Sequence, residues 1–318
     1  MTVVVGGRPG GGPGGDSQVL LRAMPAVFVL IWSTGFVVAR FGMPHAPPLG
    51  FLSWRYAFSI VAFLVWIRVS GAAWPRDRAQ WLHLAIVGLG VHAGYLGGVW
   101  AAVKGGMGAG TVALIVGLQP VLTALWVVGT GTGTGTGLRV TARQWLGLML
   151  GLAGLLLVVW RKLGVGEITA VNLALAVLAL VSITCGTLYQ KRFVKPCDVR
   201  TANTIQLFAA FAVSAPLAWL EPGTFDLHPE LIAAMAWSVL VLTLGGSSLL
   251  YLLIQRGAAT QVTSLMYLVP PSTALLAWLL FGEELSPLVL AGLALTAAGV
   301  WLVVRAPPVA ALQPKEMA

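Results

Sequence analysis

Ten runs of apolar residues, separated by short polar connections, make up most of this 318-residue chain. Each run is close to the roughly 20 residues that an α-helix needs to cross a bilayer. Because the connections are short, consecutive helices are expected to be neighbours. The pattern predicts an all-α polytopic membrane protein with ten transmembrane helices, at 24–41, 49–67, 81–103, 108–128, 143–160, 170–189, 201–220, 231–253, 261–281 and 287–304.

Two of these runs contain matching stretches with a central proline. VALIVGLQPVLTAL at 112–125 recurs as VTSLMYLVPPSTAL at 262–275, with six of fourteen positions identical, including Pro120 and Pro270. Proline removes a helical hydrogen bond and bends or breaks a helix. Broken helices at corresponding places in two halves point to a transporter's binding site near the membrane midplane. We therefore predict that Pro120 and Pro270 act as hinge or cavity-shaping residues.

A second internal match supports a repeat. GLMLGLAGLLLVV at 147–159 matches GLALTAAGVWLVV at 292–304 at eight of thirteen positions. Five helices in each half is an odd number, so the second half enters the membrane from the opposite side. The sequence predicts two inverted five-helix repeats, at 23–161 and 162–305, related by a pseudo-two-fold axis in the membrane plane.

Composition and charge agree with a membrane protein. The chain is 58% hydrophobic and 9% charged, whereas soluble domains carry about 25% charged residues. The formal charge of +9 comes from residues in short loops, so no nucleic-acid partner is expected. With the N-terminus inside, fourteen of the nineteen Lys and Arg residues are cytoplasmic and four are outside. This bias predicts that both termini are cytoplasmic; Arg161 and Lys162 are an outer pair that departs from it.

The ends and one connection are compositionally biased. Residues 1–22 are rich in Gly and Pro and are predicted to be a disordered cytoplasmic tail, and 306–318 a C-terminal cytoplasmic tail. The Gly-Thr repeat at 129–137 is predicted to be a flexible loop, and it does not fit a phosphate-binding motif. The two cysteines define neither a disulfide framework nor a metal site. No cofactor or metal is expected.

Two polar residues inside the spans are candidates for the functional site. Arg55 is a charged residue well within a predicted span. It lies about 9 Å from the outer end of that span at Leu49, at roughly 1.5 Å per residue. Such residues are functional by default, although Arg55 can instead reach the outer interface or tie helices together. His92 lies near the midplane, where it can bind substrate, carry a proton or make a structural hydrogen bond. Because no span contains Asp or Glu, His92 is the leading candidate for proton coupling.

Further candidates surround the prolines and the aromatic positions. Gln119 and Tyr267 flank the prolines, and Trp32 and Tyr95 can line an aromatic cavity, although each alone is more often a packing residue or an interfacial anchor. Glycines at small-xxx-small spacing are expected to pack helices within the chain. The fifth and tenth helices can alternatively use such faces to dimerise, so a monomer and a homodimer both remain open.

The chain resembles the drug/metabolite transporter superfamily, in its ten-helix EamA-type branch. The resemblance covers about residues 24–305 and rests on WSTGF at 32–36, Arg55, Gly110 with Pro120, Pro270, and FGEELSP at 281–287. It implies a bacterial inner-membrane transporter, usually an exporter of amino acids, other small metabolites or drugs. It also implies a central cavity formed mainly by helices other than the fifth and tenth. Gly282 and Glu283 match the family's Gly-Glu motif, whose first-half counterpart is replaced here by the Gly-Thr repeat.

These observations together predict a secondary transporter, not an enzyme, that exports a small-molecule substrate by alternating access. Three alternatives remain. A nucleotide-sugar permease would need several basic residues in its cavity, and only Arg55 is available. An intramembrane enzyme would need a nucleophile and a base, or metal ligands, at membrane depth. The matched broken helices disfavour a non-transporting scaffold.

Overall fold

The structure, a computed structural model, describes residues 15–129, 142–164, 166–246, 249 and 268–304, and these ranges contain helices and no strand. Within these ranges the structure has twelve α-helices and two π-helices: α1 Gly15–Gly42, α2 Pro48–Ser70, α3 Arg78–Gly88, π1 Leu89–Leu96, α4 Gly97–Lys104, α5 Ala109–Val116, α6 Gln119–Gly129, α7 Ala142–Gly164, α8 Ala170–Phe193, α9 Val199–Ala218, α10 Pro229–Ala236, π2 Trp237–Gly245, α11 Val269–Phe281 and α12 Pro287–Val304.

Many of these helices are suited to a bilayer. Five are long and apolar enough to cross one, and five shorter apolar helices accompany them within the described ranges. Large apolar side chains such as Val61, Leu152 and Leu240 are exposed on the outside of the bundle. Helices satisfy their own backbone hydrogen bonds and therefore tolerate lipid on such faces. The protein is polytopic, while the count of ten spans and the inverted repeat stay predictions.

The first helix begins earlier than the sequence analysis predicted. α1 starts at Gly15, within the segment predicted as a tail, and the domain boundary at residue 22 stays a prediction. The segment GDSQVLL explains the difference, because small polar residues that favour helix starts precede good helix formers. Residues 1–14, the Gly-Thr repeat beyond Gly129 and the tail at 306–318 lie outside the described residues.

Both proline stretches coincide with the start of a helix. α5 ends at Val116 and α6 begins at Gln119, which places Pro120 in the first turn of α6. Pro270 likewise lies in the first turn of α11. A missing N–H does no harm there, because the first turn has no helical acceptor for it. A methyl group added at Gly117 would lie 2.5 Å from Pro270 Cγ, so the two matched stretches touch each other.

Glycines bring several helices into backbone contact. A methyl group at Gly299 in α12 would lie 2.5 Å from both the Gly147 oxygen and the Gly151 nitrogen of α7. Gly94 in π1 and Gly98 in α4 approach α8 in the same way, with Ser182 Oγ and the Leu175 oxygen each 2.7 Å from the added carbon. These small-residue faces therefore serve packing within the chain.

Candidate functional site

Arg55 lies in α2, and its side chain is buried against π2. Its side chain is 7% exposed, and its Nε and Nη2 atoms donate to Thr243 Oγ1 at 3.3 and 3.2 Å. Thr243 Oγ1 in turn donates to the Ser238 carbonyl oxygen at 2.8 Å. This second bond fixes the hydroxyl so that its lone pairs face the guanidinium. The geometry contradicts the alternative that Arg55 reaches the outer interface.

Among the residues that the structure describes, no carboxylate pairs with Arg55. The ion pairs within the described ranges do not include Arg55, and the sequence places no Asp or Glu inside any span. A guanidinium has five N–H donors in a planar fork that matches a carboxylate. The described part of the chain thus provides Arg55 with a neutral acceptor and no counter-charge.

The π-helix π1 presents His92 and Tyr95 beside Arg55. A π-helix has an extra residue per turn, and such segments often occur at functional sites. The Tyr56 hydroxyl, on α2, donates to the His92 carbonyl oxygen at 2.8 Å. The His92 ring faces the side chain of Gln206 on α9. The His92 backbone is therefore held from α2, and its ring packs against α9.

A cavity of about 90 Å³ joins these residues. Typical small-molecule pockets measure about 300–1,000 Å³, so this one must widen to hold an organic substrate. Four of the predicted candidates, Trp32, Arg55, His92 and Tyr95, line it. The full lining is Trp32, Gly35, Phe36, Arg55, Val91, His92, Tyr95, Leu96, Val99, Trp100, Leu242 and Thr243.

Other predicted residues lie apart from this cavity. Gln119 Nε2 donates to Thr187 Oγ1 of α8 at 3.1 Å and does not belong to the cavity lining. Pro270 lies at the contact between the two matched stretches and Pro120 lies in the first turn of α6, and their role as hinges stays a prediction. Tyr267 lies outside the described residues.

The family motif residues act at the start of α5. Gly282 adopts φ 66° and ends α11, a left-handed conformation that glycine accepts without strain. The chain then turns so that Glu283 Oε1 accepts the Ala109 N–H at 2.9 Å. Gly110 lets α5 approach α11, because a methyl group there would lie 3.1 Å from Ala274 Cα. The motif therefore closes one end of the α5–α11 contact.

A second carboxylate completes this end of the bundle. Glu167 Oε1 accepts the Gly108 N–H at 2.9 Å and the Thr111 hydroxyl at 3.1 Å, and Glu167 also pairs with Lys162. Burial raises the pKa of Glu283, and the nearby charge of Glu167 adds to this effect. We name this group, Lys162, Glu167 and Glu283 around the start of α5, the carboxylate cap.

The cap explains the basic pair that departs from the charge bias. Lys162 pairs with Glu167, and Arg161 Nη2 lies 3.3 Å from Glu284 Oε2. Sequence analysis missed Glu167 and Thr243. A polar residue within an apolar run was the available signal for Thr243, the same criterion that selected His92. For Glu167 the available signal was its position close to Arg161 and Lys162, whose positive charges an acidic residue can neutralise.

Comparison with known proteins agrees with this architecture. The sequence profile of the EamA-like transporter family matches residues 23–160 and 171–305. A "Probable amino-acid metabolite efflux pump" of Salmonella typhimurium is 26% identical over 284 residues, covering 86% of this chain and 91% of that protein. The "Uncharacterized inner membrane transporter YedA" of Escherichia coli is 26% identical over 275 residues, covering 84% and 85%. A solved crystal structure shares the fold, with TM-score 0.62 at 18% identity, covering 89% of this chain and 98% of that one.

The family match makes this protein a membrane transporter and not an enzyme, and the apolar helices and the cavity between them agree with that class. The chain belongs to the EamA-like transporter family, because the two matched ranges cover most of its length.

Proposed function

We propose that this transporter exports small carboxylate-bearing metabolites, amino acids or related compounds, across a bacterial inner membrane. The observation that carries the proposal is Arg55, a buried cation in the cavity that no described carboxylate neutralises. A buried charge is costly unless it is paired, and a carboxylate forms the strongest hydrogen bonds with a guanidinium fork. A substrate carboxylate would supply the missing partner.

The remaining cavity lining suits the rest of such a substrate. Trp32, Tyr95 and Trp100 provide aromatic surface. His92 provides a polar group from π1, whereas Arg55 comes from α2. Apolar lining with a few placed polar groups is typical of small-molecule sites. Phosphate-bearing substrates fit less well, because Arg55 is the one cationic residue of Lys or Arg type in this lining.

Transport would proceed by alternating access around this cavity. The cavity wall combines α1, α2, π1 and α4 with π2, which lies in the second predicted repeat. The present volume is too small for an amino acid, so the wall must open for binding and release. The names of the efflux pump and the inner-membrane transporter among its relatives support the direction and the location.

The proposal is tested by counterflow in proteoliposomes with a panel of labelled amino acids. Arg55→Ala should lower the flux of the accepted substrate at least about tenfold, because losing one partner of a buried charge pair costs about 2–5 kcal/mol. Arg68→Lys, at the inner end of the same helix, is the matched control and should transport like the wild type. Equal flux by Arg55→Ala and the wild type would contradict the proposal.

The same assay tests His92. His92→Ala should reduce flux or change its dependence on pH, because its ring lies beside Arg55 in the cavity wall. Full flux with an unchanged pH profile would remove His92 from the mechanism.

A further inference from the structure

A group of His, Asp and Glu side chains lies where the turn between α1 and α2 meets the connection before α10. His45 Nδ1 lies 3.1 Å from Asp226 Oδ2, and His45 Nε2 lies 3.1 Å from Glu230 Oε2. The ring of His228 stacks on that of His45, with centroids 4.4 Å apart and planes 5° from parallel. One ligand atom from each of His45, His228 and Glu230 can be chosen so that all lie within 4.8 Å of one another.

The backbone holds these residues in register. The Asp226 N–H donates to the His45 carbonyl oxygen at 2.9 Å, and the His228 N–H donates to the Asp226 carbonyl oxygen at 2.7 Å. Nearby, Glu221 Oε2 accepts the Leu49 and Gly50 N–H groups at the start of α2 at 2.8 and 3.1 Å. The segment before α10 is thus fastened to the α1–α2 turn at several points, and the cluster is not a chance meeting of long side chains.

We propose that His45, His228 and Glu230 bind a divalent transition-metal ion such as Zn²⁺. Two imidazoles and one carboxylate are a ligand set that zinc uses when it keeps a fourth position for water. Two ligand atoms on a tetrahedral zinc ion lie roughly 3.3 Å apart, since each bond is about 2.0–2.1 Å long. The 3.1 Å between His45 Nε2 and Glu230 Oε2 is close to that spacing.

Asp226 has the position of an orienting partner. A histidine that binds a metal through one nitrogen usually donates its other N–H to a carboxylate, which fixes the ring. Asp226 Oδ2 lies against Nδ1 of His45, the nitrogen opposite the one that faces Glu230. The ion would therefore join a histidine whose orientation is already set.

His228 must rotate out of its stack on His45 to bind the ion, because a metal lies in the plane of the imidazole that binds it and the two stacked planes do not meet. It must also give up one hydrogen bond. Its Nδ1 accepts the Glu230 N–H at 3.3 Å in the structure. A neutral ring that binds an ion through one nitrogen carries its proton on the other, so this cap and the metal bond exclude each other. The cap is long and exposed, so its loss is a small cost.

The bound ion would connect the two walls of the cavity. His45 follows α1, which carries Trp32, while Glu230 lies in α10, which leads into π2 and Thr243. By the predicted orientation the site faces the outside of the membrane. An ion there would hold the outer ends of α1 and α10 together and slow opening on that side. This consequence rests on the proposed function, whereas metal binding itself does not.

The test is titration of Zn²⁺ into the purified full chain, carrying a tag without histidine, by isothermal calorimetry. Cys185→Ser and Cys197→Ser form the background, so that thiols cannot contribute. We expect one ion per chain, with affinity lowered at least tenfold by His45→Gln, His228→Gln or Glu230→Gln. Asp226→Asn should weaken binding about 10–100-fold as an orienting residue. His83→Gln is the matched control, because His83 bonds Tyr189 away from the cluster.

Two results would overturn the metal site. One is the absence of saturable Zn²⁺ binding by the cysteine-free parent, and the other is an affinity in His45→Gln and His228→Gln equal to that of this parent. Glutamine keeps the polar character of each position, so folding is expected to survive and is checked by gel filtration. External Zn²⁺ should also slow counterflow in the wild type and not in His45→Gln. Binding without any transport would refute the proposed function and leave the metal site standing.

Discussion

The α7–α12 pair and the wall of the cavity differ in how their backbones meet. Along α7 and α12, glycines such as Gly151, Gly154 and Gly299 remove side chains from the contact, and the two backbones lie against each other. Glycines also pack π1 and α4 on α8, but α2 is joined to π1 and π2 across the cavity by single hydroxyl contacts, Tyr56 to His92 and Arg55 to Thr243. Close packing resists change, whereas a few polar bonds can be exchanged for bonds to a substrate. We therefore expect α7 and α12 to form a rigid frame, and we expect the polar contacts of the cavity wall to change when the wall opens.

The largest effect is expected from a bulky side chain placed in the α7–α12 contact. Gly299→Leu should prevent the α7–α12 contact, because even a methyl carbon there lies 2.5 Å from two backbone atoms of α7. Most of the folded peak in gel filtration should be lost. Ala298→Leu is the matched control, since Ala298 is exposed on the same helix and leucine suits lipid. A normal peak for Gly299→Leu would show that the pair is not a rigid frame.

A smaller loss of stability is expected in the cavity wall, where Arg55 depends on the hydroxyl of Thr243. Thr243→Val leaves the buried Arg55 without its acceptor, and a hydrogen bond to a charged group contributes about 1.5–3 kcal/mol. The melting temperature should fall, and Thr243→Ser should restore it. The double variant Arg55→Met/Thr243→Val should recover part of the loss, because an uncompensated charge is no longer buried. Additive losses in the double variant would contradict the coupling of Arg55 to Thr243.

The smallest effect concerns the carboxylate cap. Burial raises the pKa of Glu283, so its contribution to stability is complete below the ordinary value of 4.5 and is lost as the pH rises through the raised pKa. Between mildly acidic and neutral pH, the melting temperature of the wild type should fall more than that of Glu283→Gln. Glu284→Gln, which changes the neighbouring carboxyl paired with Arg161, is the control. An identical pH profile for Glu283→Gln and the wild type would refute this account of the cap.

Much of the fold could be predicted because membrane helices follow from long apolar runs. The start of α6 beside Pro120 and the position of Arg55 and His92 within apolar runs also follow from local sequence. The partners could not be predicted, because Thr243 lies 188 positions from Arg55 and Glu283 lies 174 from Ala109. Such pairs depend on how helices pack, and apolar periodicity does not encode that. The π-helices were missed for a related reason, since their sequences are as apolar as an ordinary α-helix.

The central claim is that Arg55 binds a substrate carboxylate in the cavity. It is tested most directly by comparing counterflow of an accepted amino acid with that of its carboxamide, in the wild type and in Arg55→Gln. The amide keeps the size and the amine of the substrate but lacks the charge that a guanidinium fork binds. We predict that the wild type prefers the acid by about tenfold or more, and that Arg55→Gln loses this preference. Equal transport of acid and amide by the wild type would contradict the account.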